Sequence, residues 1–129
     1  MRGLDTPVLL EILHGSPASR RLLRSLQGEE LATTELNLFE LYQVASQGSK
    51  AARTARQRAL VALRRRITVL PITTAAVEEA ARGAPMRSIV GGYGPLIWGA
   101  LAAAGCGEWI TTKEAAPPRG ATKLKCRVI

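Results

Sequence analysis

The chain has 129 residues, 47% of them apolar, and a formal net charge of +8. That is the length of one domain with a sizeable core, and the composition is too apolar for a disordered segment. Two cysteines and one histidine exclude a disulfide framework and a four-ligand Cys/His zinc site, and the longest near-apolar stretch, Pro95 to Gly105, is about half the ~20 residues that span a bilayer.

In chain order, Leu4-Asp5-Thr6-Pro7 reads as a strand end followed by a helix start, with Thr6 as the cap and Pro7 in the first turn. Val8 to Leu13 supplies the first helix, which Gly15, Ser16 and Pro17 break. Asp5 and Glu11 interrupt this N-terminal apolar run and no small-residue cleavage site follows, so it does not read as a secretory signal. The expectation is a soluble cytoplasmic protein with no membrane partner. Arg20 to Leu26 is a short helix ending near Gly28. Leu31 to Thr34 is a strand, and Glu35 to Ser46 a helix in which Leu36, Phe39 and Tyr42 keep helical spacing.

From Lys50 to Arg65 the pattern predicts a basic helix. Ala52, Ala59, Leu60 and Leu63 share one stripe, on which Arg56 intrudes. Ile67 to Leu70, β-branched and bounded by Pro71, is a strand. Thr74 to Arg82 is a helix with Glu78 and Glu79 near its middle. Gly83, Pro85 and the Gly91-Gly92-Tyr93-Gly94 cluster mark a loop, which lacks the spacing of a phosphate-cradling motif. Pro95 to Ala104 is an apolar helix stopped by Gly105, Trp109 to Thr112 a strand, and Lys123 to Ile129 a last strand.

Charge is concentrated in one segment. Between Gln47 and Arg66 stand Lys50, Arg53, Arg56, Arg58, Arg64, Arg65 and Arg66, with no acid among them, and fourteen of the eighteen cations in the chain are Arg. Such a field attracts phosphate backbones or an acidic protein, and Arg is the side chain suited to bidentate contacts with either; a plainly solvated face is the alternative. His14, at the polar end of the first helix, reads as structural. Cys106 and Cys126 read as reduced, buried thiols, with a bond between the two as the alternative.

Strands alternating with helices predict an α/β domain with a mainly parallel sheet, spanning residues 1–129. Ligand sites in such sheets lie beyond the carboxyl ends of the strands. There the sequence places Asp5, its only aspartate, after the first strand, and Glu114 after the fourth; Glu40 stands one turn into the helix after the second.

Three sets of segments, Leu4-Asp5-Thr6-Pro7-Val8-Leu9-Leu10, Thr33-Thr34 running to Phe39-Glu40-Leu41, and Leu96-Ile97-Trp98-Gly99-Ala100-Leu101 with Ile110-Thr111-Thr112, together resemble the PIN-domain family. The members closest in size are the VapC-like toxins of toxin–antitoxin pairs. Family members open on a strand ending in "LDT", carry a helix with an acid before Leu, and have an apolar helix of the form "DALIAATAL" and a strand ending in "T-x-D".

The resemblance implies a three-layer α/β/α fold and cleavage of RNA with Mg²⁺ or Mn²⁺ held by clustered carboxylates. Carried over, Asp5 is the first acid and Glu40 the second, with Glu35 as a rival to Glu40. Gly94 replaces the Asp that opens the apolar helix. At the fourth position Thr112-Lys113-Glu114 supplies Glu114 as a metal ligand, whereas Thr111-Thr112-Lys113 would put Lys113 there. Arg53, Arg64, Arg65 and Arg66 would contact the RNA, an antitoxin protein is the implied partner, and a homodimer stays open. The alternative to the nuclease is a catalytically degenerate module that binds RNA or a protein partner without cutting.

Overall fold

The computed structural model describes residues 1–83, 93–118, 120 and 122–129. Five strands appear among them: β1 (Arg2–Leu4), β2 (Leu31–Thr34), β3 (Thr68–Leu70), β4 (Glu108–Thr111) and β5 (Lys125–Val128). The helices are α1 (Thr6–His14), α2 (Pro17–Ser25), α3 (Glu35–Ala45), α4 (Lys50–Arg64), α5 (Thr74–Gly83) and α6 (Gly94–Ala103). Most of the predicted loop between Gly83 and Gly94 lies outside the described residues.

The strands pair in the order β3-β2-β1-β4-β5 and every pairing is parallel. Parallel neighbours need crossover connections, which put helices on the sheet and bury both of its faces. The α1–α2 and α3–α4 crossovers cover one face, where Leu4, Val8, Leu9, Leu41, Leu60 and Ile110 form the core. Helix α6 covers the other face with Ile97 and Leu101 packed on Ala32 and Trp109. This is the three-layer α/β/α arrangement.

Alternation along the strands explains the division. Leu4 and Ile110, paired in register, face α1, whereas Gly3, paired with Ala32 and Trp109, faces α6. A Cβ on Gly3 would lie 2.7 Å from Leu101 Cδ2, so glycine is what lets α6 sit down on the sheet. Gly99 of α6 has the same part against α5, because a Cβ there would run into the Ala76 carbonyl oxygen and the Ala80 amide.

The helix starts differ from the sequence reading at α1 and α2, and by one residue at α6, which opens at Gly94. Asp5, not Thr6, caps α1: its carboxylate accepts from the Thr6 amide, and Thr6 and Pro7 are the first helical residues. Helix α2 begins at Pro17 instead of Arg20, because Ser16 caps it and accepts from the Ser19 amide at 3.1 Å. A serine followed by proline, read as a break, is here the start signal itself.

Candidate functional site

The strand order reverses at β1: the chain steps from β1 out to β2 and β3, then returns to β4 on the other side. At such a reversal the connecting helices diverge and leave a crevice at the carboxyl ends of the strands. Asp5 and Thr111 stand at this point, at the ends of β1 and β4.

Asp5 is held from every side. Its amide donates to the Ile110 carbonyl at 2.9 Å, which ties it to β4 before the chain turns into α1. Its Oδ1 accepts from the Thr6 amide at 2.8 Å and from Asn37 Nδ2 at 3.2 Å, and its Oδ2 accepts from the Thr111 hydroxyl at 2.5 Å. The residue is 8% exposed. Burial pushes its carboxyl above the ordinary range, and the hydrogen bonds from Thr111, Thr6 and Asn37 pull against that rise.

Asn37 joins three elements. It occupies the third position of α3, where it completes a capping box with Thr34. Its Oδ1 accepts from the Thr34 hydroxyl at 2.7 Å and the Thr34 amide at 3.3 Å, and its Nδ2 donates to Asp5 and to the Thr6 hydroxyl at 3.0 Å. All four hydrogen-bonding positions of the amide are therefore used, as befits a side chain with no exposure. Thr33 adds a bond from its hydroxyl to the Leu4 carbonyl at 2.9 Å. The sequence reading missed Asn37. Its only signal was the Thr34-x-x-Asn37 spacing of a capping box with an amide in place of the usual Glu or Gln.

Glu40, one turn beyond Asn37 on α3, is half-buried beside this network. Burial pushes its carboxyl up first and the negative charge of Asp5 pushes it further, with the Thr6 hydroxyl opposing both. The charge of Asp5 thus reaches Glu40, although the two come from separate crossovers. Glu40 opens onto a cleft of about 720 Å³ lined by Thr6, Leu10, Gln43, Gln47 and Arg56. Arg56, the cation on the apolar stripe of α4, donates to the Gln47 carbonyl at 2.5 Å and so fastens the α3–α4 turn at the rim of this cleft.

The other expected residues stand apart from the pair. Glu114 is exposed in the turn after β4. Among the described residues no three His, Cys, Asp or Glu side chains gather as a metal-holding group. The threonine that reaches Asp5 is Thr111, so the residue two beyond it is Lys113, with Glu114 one further on. Glu35 accepts from the Ile72 amide at 3.4 Å and serves the β3–α5 connection. Gly94 opens α6, and a Cβ on it would lie 3.2 Å from the Trp98 ring. Arg53, Arg64, Arg65 and Arg66 are all exposed on or just after α4, and Arg64 donates to the Tyr42 hydroxyl at 3.2 Å. His14 is exposed in the last turn of α1; Cys106 and Cys126 are free thiols, the first buried as expected and the second exposed on β5 instead.

The pair is an incomplete cage. Asp5 keeps little spare acceptor capacity, while the Glu40 carboxylate is met by the Thr6 hydroxyl and otherwise faces the cleft. Two neighbouring carboxylates of this kind fit a hydrated divalent cation, one that keeps most of its waters, and their mutual repulsion is what such a cation relieves.

A family model described as PIN domain matches residues 4–115. Among solved structures, the chain is similar to VapBC2 from Rickettsia felis bound to a DNA fragment from its promoter, with a TM-score of 0.77 at 16% identity over 99% of this chain and 98% of that one. DNA-bound VapBC from Salmonella typhimurium gives 0.75 at 19% identity over 98% and 96%, and a toxin–antitoxin complex from Klebsiella pneumoniae 0.68 at 18% over 93% and 94%. At these identities the likeness is one of fold. A search of curated protein sequences gave no match. No helix among the described residues is long and apolar enough to cross a membrane.

Proposed function

The chain belongs to the PIN-domain family, and on that premise we propose that it is a metal-dependent ribonuclease, the toxin of a toxin–antitoxin pair. The observation that carries the reading is Asp5 and Glu40 together: Asp5 is enclosed at the topological reversal, Glu40 opens onto the adjoining cleft, and both meet the same Thr6. Carboxylates so placed lower their energy by taking a cation.

Asp5 and Glu40 would hold Mg²⁺ or Mn²⁺, which when bound supplies neutralisation of phosphate charge and a more acidic water. The chain's own residues do the rest. Thr111, Asn37 and the Thr6 amide hold the Asp5 carboxylate in one orientation, so its free lone pair points in one direction. The cations of α4, Arg53 and Arg64 to Arg66, draw the RNA backbone by charge; Glu114 is a third ligand only if the turn after β4 brings it inward. The antitoxin partner is proposed from the solved relatives, which include a toxin–antitoxin complex.

A second reading has its own support. Gly94 offers no carboxylate, and the Trp98 ring lies over the space where one would begin. A site with two acids in place of a fuller set suits a module that binds RNA or protein without cutting. One experiment separates the two: Mn²⁺ is titrated into the chain while melting temperature and RNA cleavage are followed. The nuclease reading expects stabilisation and cleavage, both lost in Glu40→Gln and after chelation. Stabilisation or RNA binding without any cleavage supports the module, and no response to Mn²⁺ removes the metal site.

A further inference from the structure

We propose that Thr6 is a positioning residue that yokes the two carboxylates of the site and so sets which divalent cation they take. Its amide holds Asp5, and its hydroxyl, aimed by Asn37, holds Glu40. The pair fixed in this way favours Mg²⁺ or Mn²⁺ over the larger Ca²⁺. The inference rests on the metal-dependent reading of the site and names the residue that sets its choice of ion.

Donor chemistry fixes the direction of each hydrogen bond in this corner. The Thr34 amide can only donate, so the Asn37 side-chain atom that it meets at 3.3 Å is the oxygen. Nδ2 is then the atom turned to Asp5 at 3.2 Å and to the Thr6 hydroxyl oxygen at 3.0 Å. An amide nitrogen also only donates, so Thr6 Oγ1 accepts there and keeps its own proton for another acceptor. A threonine inside a helix commonly gives that proton to a carbonyl one turn back, but Thr6 opens α1 and has no such turn behind it. The acceptor it meets is the Glu40 carboxylate. Asn37 thus orders Asp5 directly and Glu40 through Thr6.

One residue therefore gives a donor to each carboxylate, the amide to Asp5 Oδ1 at 2.8 Å and the hydroxyl to Glu40. Thr6 is 5% exposed, and its branched side chain has few rotamers to choose from, so the yoke is stiff. Asp5 Oδ1 has both acceptor positions filled, by Thr6 and Asn37, and Thr111 fills one on Oδ2. Asp5 can thus offer a cation a single oxygen. Glu40, tethered by the hydroxyl, cannot turn freely to clasp an ion with both of its own. Two single-oxygen ligands suit Mg²⁺ or Mn²⁺, which complete an octahedron with water. Ca²⁺ takes about six to eight oxygens and is commonly held by carboxylates that chelate with both. Without the Thr6 hydroxyl Glu40 is free to swing and chelate.

The test titrates Mn²⁺ and Ca²⁺ separately into the whole chain, with affinity read by calorimetry and folding by thermal melts. Wild type should bind Mn²⁺ more tightly than Ca²⁺. Thr6→Val keeps the shape and removes the hydroxyl; it should weaken Mn²⁺ binding about tenfold and Ca²⁺ binding by no more than about twofold, which narrows the preference. Thr6→Ser, which keeps the hydroxyl, should hold both affinities within about twofold of wild type. Ser19→Ala removes a buried hydroxyl from α2 and should lower stability without moving either affinity. Unchanged Mn²⁺ affinity in folded Thr6→Val overturns the inference. So does an equal loss for the two ions, because Thr6 would then hold the corner together without setting its choice. A Thr6→Ser variant that falls as far as Thr6→Val assigns the effect to the methyl group and overturns it as well. Thr6→Val also strands one proton of the Asn37 amide. If that variant fails to fold, the wild-type preference and its retention in Thr6→Ser carry the test. A wild type that takes Ca²⁺ as tightly as Mn²⁺ overturns the inference and leaves the metal site in place, whereas a wild type that binds neither ion removes both.

Discussion

The corner around Asp5 and the outward face of α4 carry charge in opposite ways. At the corner a carboxylate is enclosed and accepts three hydrogen bonds, and its negative charge pushes up the carboxyl of Glu40. On α4 the cations stand in water with no acid paired to them among the described residues. Low dielectric makes the first region strongly coupled, so that removing one member changes the others; solvent and salt screen the second, where each charge acts nearly alone. Selectivity for metal and geometry belongs to the first kind of region, and long-range attraction to the second. Four measurements put this contrast at risk.

Asn37 should respond most strongly. Asn37→Ala removes the donor to Asp5 and Thr6 and the acceptor for Thr34, all of them buried. Stranded polar groups and the void together should cost about 2–4 kcal/mol, measured by chemical denaturation. A loss below about 1 kcal/mol would mean that the corner relaxes as freely as a surface.

Next comes Gly94→Asp. Its Cβ must displace the Trp98 ring, which should cost about 1–2 kcal/mol by overpacking. In return the added carboxylate, at a helix start where the dipole favours it, should tighten Mn²⁺ binding relative to wild type. An affinity for Mn²⁺ equal to that of wild type would show that this helix end does not face the Asp5–Glu40 pair.

The third measurement is pH dependence. Because both carboxyls lie above their ordinary values, 3.8 for Asp5 and 4.5 for Glu40, the folded chain binds more protons than the unfolded chain across the window above those values. Stability of the metal-free chain should therefore fall as pH rises through that window, the loss being complete once both folded carboxyls have ionised. Asp5→Asn keeps the helix cap and removes both the buried ionisation of Asp5 and its push on Glu40, so its melting temperature should drop less than that of wild type as pH rises through that window. Equal slopes for the two proteins would show that neither the burial of Asp5 nor its charge on Glu40 governs the pH dependence. The same substitution should abolish the Mn²⁺ response, separating function from fold.

On α4 the effect on folding should be slight. Replacing Arg64, Arg65 and Arg66 with Ala should change stability by no more than about 0.5 kcal/mol, since all three are exposed. The slope of log affinity against log salt for single-stranded RNA should become shallower by about 2, roughly 0.7 for each phosphate left unneutralised. A large loss of stability would show that these side chains are structural, coupled to their neighbours as Asp5 is.

Much of the fold was legible because local rules govern it. The β-branched run ending at Leu70 and Pro71, the helical spacing of Leu36, Phe39 and Tyr42, and the glycine stop after α6 each express backbone preference within a few residues. The capping of α1 was misassigned because Asp5 and Thr6 are both capping residues, and only the amide hydrogen bond distinguishes them. The start of α2 was misplaced because Ser-Pro serves equally as a break and as a beginning.

The alternation of strands and helices, the concentration of cation on α4, and the placing of Asp5 and Glu40 near element ends were all written in the linear chain, since each follows from neighbours along it. What those residues meet was settled by the packing of distant elements. Thr111, and not Thr112, reaches Asp5 because the parallel register pairs Leu4 with Ile110 and puts the next residues of β1 and β4 side by side. Asn37 enters the site because α3 starts where β2 ends, next to the carboxyl end of β1. Hydrogen bonds between residues 32 or 106 positions apart depend on strand order and crossover geometry, which no local pattern encodes.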